Sequence, residues 1–286
     1  MKFKLLIGFV SISLALSACG KKTSSGTTDS SGEIELKLNL TKGKKYAMEF
    51  NMDNTVEMNM MGQSVNSTNK IIMGGDYEVM DVLPSGNFLV RTTYRKIKMN
   101  GDAMGMKYEY DSETDKASGP QGEQMATSMK KMIGEYMEME MDKTGKVIKT
   151  TSSPALTEND KEGKPKKSGF ENMQFNVFPD KKLKVGDTWE NSVEQNMNGT
   201  MVDLKSTYTL TAVNNGIAEV KIEGTFTIKP GSEGKFTGSQ KGTSKIEIAT
   251  GICTEAIIDQ DIDMEANNMG MKMPMKMKNK ITVTLK

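Results

Sequence analysis

Residues 257–286 read IIDQDIDMEANNMGMKMPMKMKNKITVTLK, and this stretch decides the fold class. Its apolar residues recur at every second position, the period of a strand with one buried face rather than that of a helix. Ile258, Ile262, Met264 and Ala266 share one parity, while Asp259, Asp261, Asp263 and Glu265 share the other. Beyond Asn267-Asn268 the parity is taken up by Met269, Met271, Met273, Met275 and Met277, then Ile281, Val283 and Leu285. Lys272, Lys276, Lys278 and Lys280 occupy the alternate positions. A turn at the asparagine pair lays the acids across from the lysines, which stabilises an antiparallel pair. The stretch therefore predicts a hairpin. Pro274 falls in the lysine parity and has no backbone donor, which predicts an edge strand or a bulge.

The same alternation recurs upstream, in Tyr46-Met48-Phe50-Met52, Phe88-Val90-Thr92-Tyr94 and Ala218-Val220-Ile222-Gly224-Phe226. Turn chemistry separates the runs at Pro84-Ser85-Gly86-Asn87, Asp142-Lys143-Thr144-Gly145 and Asn214-Asn215-Gly216. Only Met125, Met129, Met132, Ile133 and Tyr136 follow spacings of three and four, predicting one short amphipathic helix near 123–136. Residues 152–168, rich in Lys, Glu, Pro, Gly and Ser, read as a linker. Either side of it, similar strand-Gly-strand patterns recur around Gly86 and Gly216, and around Gly145 and Gly251. The expectation is an all-β fold of two related, curved, half-barrel-like antiparallel sheets, residues 33–151 and 169–286, with the short helix in the first.

The chain opens MKFKLLIGFVSISLALSACG. Lys2 and Lys4 precede an apolar run too short to span a bilayer, and Leu16-Ser17-Ala18 offers a small-residue cleavage site. Leu-Ser-Ala-Cys resembles a lipobox, which implies a signal peptide at 1–18 and a diacylglycerol and acyl lipid on Cys19. Residues 19–32 contain no aliphatic or aromatic side chain and read as a flexible tether. No acid follows Cys19 directly, so the resemblance to lipoprotein sorting signals implies delivery to the outer membrane, facing the periplasm. Cys253 then has no partner for a disulfide and reads as a small apolar residue.

Lys42-Gly43-Lys44-Lys45-Tyr46, Tyr110-Asp111-Ser112, Asp142-Lys143-Thr144-Gly145-Lys146-Val147 and Phe178-Pro179 leading to Val185-Gly186-Asp187-Thr188-Trp189 resemble a family of uncharacterised lipoproteins common in Bacteroidota. The resemblance implies an architecture and a cellular address, and no activity.

The chain has no histidine, which removes the usual general base, the commonest transition-metal ligand and the Ser-His or Cys-His pairs. With 38 basic and 37 acidic residues it offers no electrostatic footprint for nucleic acid. Asp111, Glu113 and Asp115 alternate but lack the spacing of a calcium loop. No catalytic residue and no cofactor is expected, and the chain reads as non-enzymatic. The anomaly is 26 methionines, many in Met-x-Met runs. They fill a core, line a groove for an apolar ligand, or hold Cu(I) through soft thioethers. For a groove the candidates are Met48, Phe50, Met52, Met137, Met139, Met141, Met264, Met271 and Met273; for Cu(I) they are Met269, Met271, Met273, Met275 and Met277. The expected function is binding of an apolar ligand or an envelope partner protein beside the membrane. A Cu(I)-binding lipoprotein and a structural or interaction module of the envelope are the alternatives.

Overall fold

A computed structural model describes residues 32–60, 63–103, 105–156, 158–159, 165–166, 177–197, 200–230, 235–268 and 271–285. The expected signal peptide at 1–18, Cys19, nearly all of the expected tether, much of 152–168 and Met269 lie outside the described residues. Among the described residues no helix is long and apolar enough to cross a membrane.

The first half contains β1 (Lys45–Met60), β2 (Gln63–Val82), β3 (Phe88–Ala103), β4 (Met106–Asp111) and β5 (Lys116–Ser118). Helix α1 (Pro120–Lys130), β6 (Tyr136–Met141) and β7 (Val147–Ser152) follow, then the short pair β8 (Glu158–Asn159) and β9 (Pro165–Lys166). The second half is a meander of β10 (Thr188–Met197), β11 (Thr200–Asn214), β12 (Ile217–Ile228), β13 (Phe236–Glu247), β14 (Ile252–Asn268) and β15 (Met271–Leu285). The fold is all-β and antiparallel with one short helix, as the alternation predicts.

The halves do not stay apart. β1 pairs with β15 from Met48↔Leu285 to Met58↔Met275, which joins everything except β8 and β9 into one sheet of 13 strands. Its order is β10-β11-β12-β13-β14-β15-β1-β2-β3-β4-β5, with β6 against the other length of β3 and β7 against β6. The hairpin expected at 257–286 forms with the acids opposite the lysines, Asp259↔Lys280, Asp261↔Lys278 and Asp263↔Lys276. Both asparagines expected in the turn still belong to β14, however, Asn267 opposite Lys272 and Asn268 opposite Met271. β15 is nevertheless a central strand. Pro274 is tolerated because the pairs with β1 end at Met275, so only β14 flanks the residue that lacks a donor.

The sheet curls. Val79, Phe88 and Val90 of β2 and β3 share one buried cluster with Leu210, Val220, Ile222 and Ile246 of β11 to β13. β12 and β2 are five places apart, roughly 24 Å in a flat sheet at the usual strand spacing. What bridges them is the segment before β1, whose Ile34, Leu36, Leu38 and Leu40 are all buried while Glu35, Lys37 and Asn39 face out. Burying each such side chain contributes about 1.5–3 kcal/mol, enough to hold an extended strap across the curl. Its backbone is also tied: Ile34 bridges Leu183, Leu38 N–H donates to the Lys143 carbonyl at 2.7 Å, and Asn39 N–H to Thr250 at 2.9 Å. Inward glycines permit the curvature. A Cβ on Gly242 would lie 2.2 Å from the Ile257 carbonyl oxygen, and one on Gly101 would lie 2.3 Å from that of Thr68.

The helix is shorter than the spacing predicts. Met125, Met129, Met132 and Ile133 pack on Ile97, Met99 and Tyr110, but the helix ends at Lys130 and Tyr136 already belongs to β6. Gly134, with φ +85°, makes the break.

Candidate functional site

The concave face holds a cavity of about 150 Å³ under the strap. Its floor is built from alternate residues of neighbouring strands, Val283 and Leu285 on β15, Met48 and Phe50 on β1, Met73 and Tyr77 on β2. β3 adds Thr92 and Tyr94, and β6 adds Met137, Met139 and Met141, which are register partners of Thr92, Val90 and Phe88. The cap is Leu38 of the strap, Phe178, and the hairpin glycines Gly145 and Gly251. Asp142 builds the first of these turns, its Oδ1 accepting from Thr144 N–H at 2.8 Å and Lys146 N–H at 3.1 Å. Thr144 in turn accepts from the Phe178 N–H at 2.8 Å. The motif residues around 142–147 and 178 therefore meet at the cap.

The lining is apolar, with Tyr77, Tyr94 and Thr92 its few polar groups. Tyr77 donates weakly to the Met141 sulfur at 3.8 Å. Burial pushes both tyrosine hydroxyls above their ordinary pKa, Tyr77 the further because its hydroxyl is the more deeply buried, with Tyr46 adding to the shift. Cys253 lies in the lining as a thiol, its Sγ donating to the Glu255 carbonyl at 3.3 Å. Space of this size and polarity suits an apolar group such as the end of a hydrocarbon chain.

Met48, Phe50, Met137, Met139 and Met141 lie in the lining. Met52 packs beside Phe50 in the adjoining cluster, and Met264 belongs to a second cluster with Phe226, Phe236 and Ile262 further along the face. Met273 lies further along still, opposite Ala266, and the side chain of Met271 is outside the described residues. Of the Cu(I) candidates, Met275 is the one with methionine register partners among described residues, Met58 on β1 and Met264 on β14. Among the described residues no group of three His, Cys, Asp or Glu is placed to hold a metal ion. Asp111 and Glu113 are both bridged by Lys98, at 3.0 and 2.6 Å, and Asp115 pairs with Lys130 at 2.7 Å. Lysine thus occupies the place a cation would take.

One feature of the concave face was not visible in the sequence. Asn191, Ser206, Gly224, Gln240, Gln260 and Asn279 are successive register partners from β10 to β15. The row continues through Asn54, Asn69, Gly101 and Tyr108 on β1 to β4. Gln240 Nε2 donates to Ser206 Oγ at 2.9 Å, Gln260 Nε2 to Gln240 Oε1 at 3.1 Å, and Asn279 Nδ2 to Gln260 Oε1 at 3.1 Å. Asn54 Nδ2 donates to Asn279 Oδ1. The rows on either side are apolar, Ile222-Gly242-Ile258-Ile281-Met52-Ile71 towards the cavity and Phe226-Gly238-Ile262-Met277-Val56 away from it. Each strand contributes a single residue, so no local pattern announces the row.

A family model described as a family of unknown function (DUF6263) matches residues 85–175 and 166–253, more than half of the chain. No curated protein matches the sequence. Among solved structures, that of lipovitellin, described for its lipid–protein interactions, is similar with a TM-score of 0.53 at 9% identity. The likeness covers 87% of this chain and 25% of lipovitellin, so the chain spans a quarter of that protein's length. An outer membrane channel from Pseudomonas putida F1 aligns at a TM-score of 0.21 and 8% identity, over 87% of this chain and 97% of the channel.

Proposed function

From the premise that the chain belongs to the family of unknown function DUF6263, we propose that it is a non-enzymatic lipoprotein of the outer membrane that takes an apolar chain into its capped cavity. The observation that carries this reading is the lining: methionine, aromatic and aliphatic side chains from seven strands surround a space with few polar groups. Methionine suits such a wall because its unbranched thioether repacks around different occupants at little cost. Lipidation of Cys19 places the cavity beside a membrane, where apolar chains are abundant, with residues 19–32 as the tether. The likeness to lipovitellin supports the fold alone.

Native mass spectrometry of the mature chain carrying Cys19→Ser tests it. The expected result is a mass increment of a single chain-bearing molecule, lost on delipidation and restored by adding hexadecane or a fluorescent fatty acid. A bare mass with no uptake of either overturns the reading.

A second reading has its own support. Met58, Met275 and Met264 are direct register partners across β1, β15 and β14, so three thioethers lie on adjacent strands of one face, a soft donor set suited to Cu(I). Competition against a Cu(I) chelator would show one copper per chain, lost in Met275→Leu; no uptake removes this reading.

A further inference from the structure

The amide row ends on a buried acceptor without a partner, Asn69 Oδ1. From β11 to β1 each amide nitrogen donates towards the β11 side, so polarity runs one way along the row. At the β11 end it stops on a hydroxyl, Ser206 Oγ accepting from Gln240 Nε2. At the other end Asn69 Oδ1 is buried and has no hydrogen-bond partner. Two glycines frame the row. Gly224 lacks a Cβ that would lie 3.0 Å from Gln240 Cγ and from Ser206 Oγ, so Gln240 reaches across β12 to its partner. Gly101 does the same for Tyr108, whose hydroxyl lies 2.5 Å from where a Gly101 Cβ would stand. The Tyr108 hydroxyl therefore reaches over β3 towards Asn69 without bonding to it.

A buried acceptor without a partner is costly unless something else supplies the donor. The row and the apolar rows flanking it contain no charged residue, so a charged group here would lose its hydration with no counter-ion. Asn54 and Asn69 are partly buried, as are Met52 and Ile71 between them and the cavity, and each keeps some exposed surface. From Asn69 to Met73 in the cavity wall is four residues of one strand, roughly 13 Å. We propose that Asn69 and Tyr108 form the head-group site of an uncharged amphiphile, whose single alkyl chain runs along the Met52–Ile71 floor into the cavity. The head group is a hydroxyl-bearing or amide-bearing one that donates to Asn69 Oδ1 and bonds to the Tyr108 hydroxyl. This assignment rests on the chain-binding reading above and adds the chemical class of the ligand.

The test uses the mature chain carrying Cys19→Ser and displacement of a bound uncharged fluorophore by four sixteen-carbon probes: hexadecane, hexadecanol, monopalmitoylglycerol and palmitate at pH 8. Hexadecanol and monopalmitoylglycerol should displace at about tenfold lower concentration than hexadecane or palmitate, the scale of one added hydrogen bond. Asn69→Ala and Tyr108→Phe should each erase that gap and leave the hexadecane value unchanged. The thermal midpoint of ligand-free Asn69→Ala should stay level or rise, since no bond is lost. Equal displacement by all four probes, or a gap that survives both variants, overturns the head-group site and leaves chain binding standing. A lowered midpoint in Asn69→Ala overturns it too, because Asn69 is then partnered in the free protein. No displacement by any probe overturns both readings.

Discussion

Gln240 Nε2 donates to Ser206 Oγ at 2.9 Å across Gly224, so two side chains on strands that are not neighbours are hydrogen-bonded over the one between them. Gly224→Ala pushes a methyl group between them. Both Gln240 and Ser206 are buried, so Gln240 Nε2 would lose its acceptor while Oε1 keeps its bond from Gln260. The expected loss is about 1–3 kcal/mol, read as a lower urea midpoint with an unchanged m-value.

The strap is held against the second hairpin of the cap at Gly251. A Cβ there would lie 2.2 Å from the Lys37 carbonyl oxygen, on a backbone with φ +73°. Gly251→Ala should cost about 1–2 kcal/mol for the left-handed conformation alone and lift the strap as well. Hydrogen exchange would show this as lost protection at the Leu38 and Asn39 amides, with the β12 amides unaffected.

Cys253 reports on the cavity because it lies in the lining. Labelling by a small thiol reagent should slow about tenfold when hexadecane is present at about ten times its Kd, since only the unliganded fraction exposes the thiol. An unchanged labelling rate at saturation would place the ligand elsewhere.

Base should unfold the protein through its buried tyrosines. Burial raises the hydroxyls of Tyr77, Tyr94 and Tyr208 above their ordinary value of about 10. An acid whose folded pKa is raised contributes stability that is present below about pH 10 and is lost as pH climbs towards the folded value. Phenolate absorbance should therefore appear together with unfolding rather than before it. Tyr77→Phe should move the base transition to higher pH while changing neutral stability little, because the bond it loses is a weak one to sulfur.

Ser244 is 2% exposed and its hydroxyl has no partner. Ser244→Ala should be neutral or stabilising by up to about 1 kcal/mol, seen as a level or raised thermal midpoint.

Much of the fold was legible because alternation is local. The parity of Ile258, Ile262 and Met264 against Asp259, Asp261 and Asp263 decides which face of β14 turns inward, and the same parity brings its acids opposite the lysines of β15. The turns at Gly86, Gly145 and Gly216 were legible for the same reason, since each needs a positive φ that glycine supplies freely. The helix end is not legible in the spacing, because Met132 and Ile133 keep the apolar period past the last helical residue and Gly134 then breaks it.

The site was legible in part. Met48, Phe50 and the β6 methionines stood out as inward residues, but a period cannot say which inward residues face the same space. By itself the sequence determined most of the strands, their faces and the pairing of β14 with β15, because each depends on residues a few positions apart. Only the tertiary structure decided that β1 pairs with β15, that the strap at 34–40 fills the curl, and that Asn54, Asn69, Gln240, Gln260 and Asn279 fall in one row. Those relations join residues up to hundreds of positions apart, and they are fixed by strand pairing and burial across the sheet rather than by the order of neighbours along the chain.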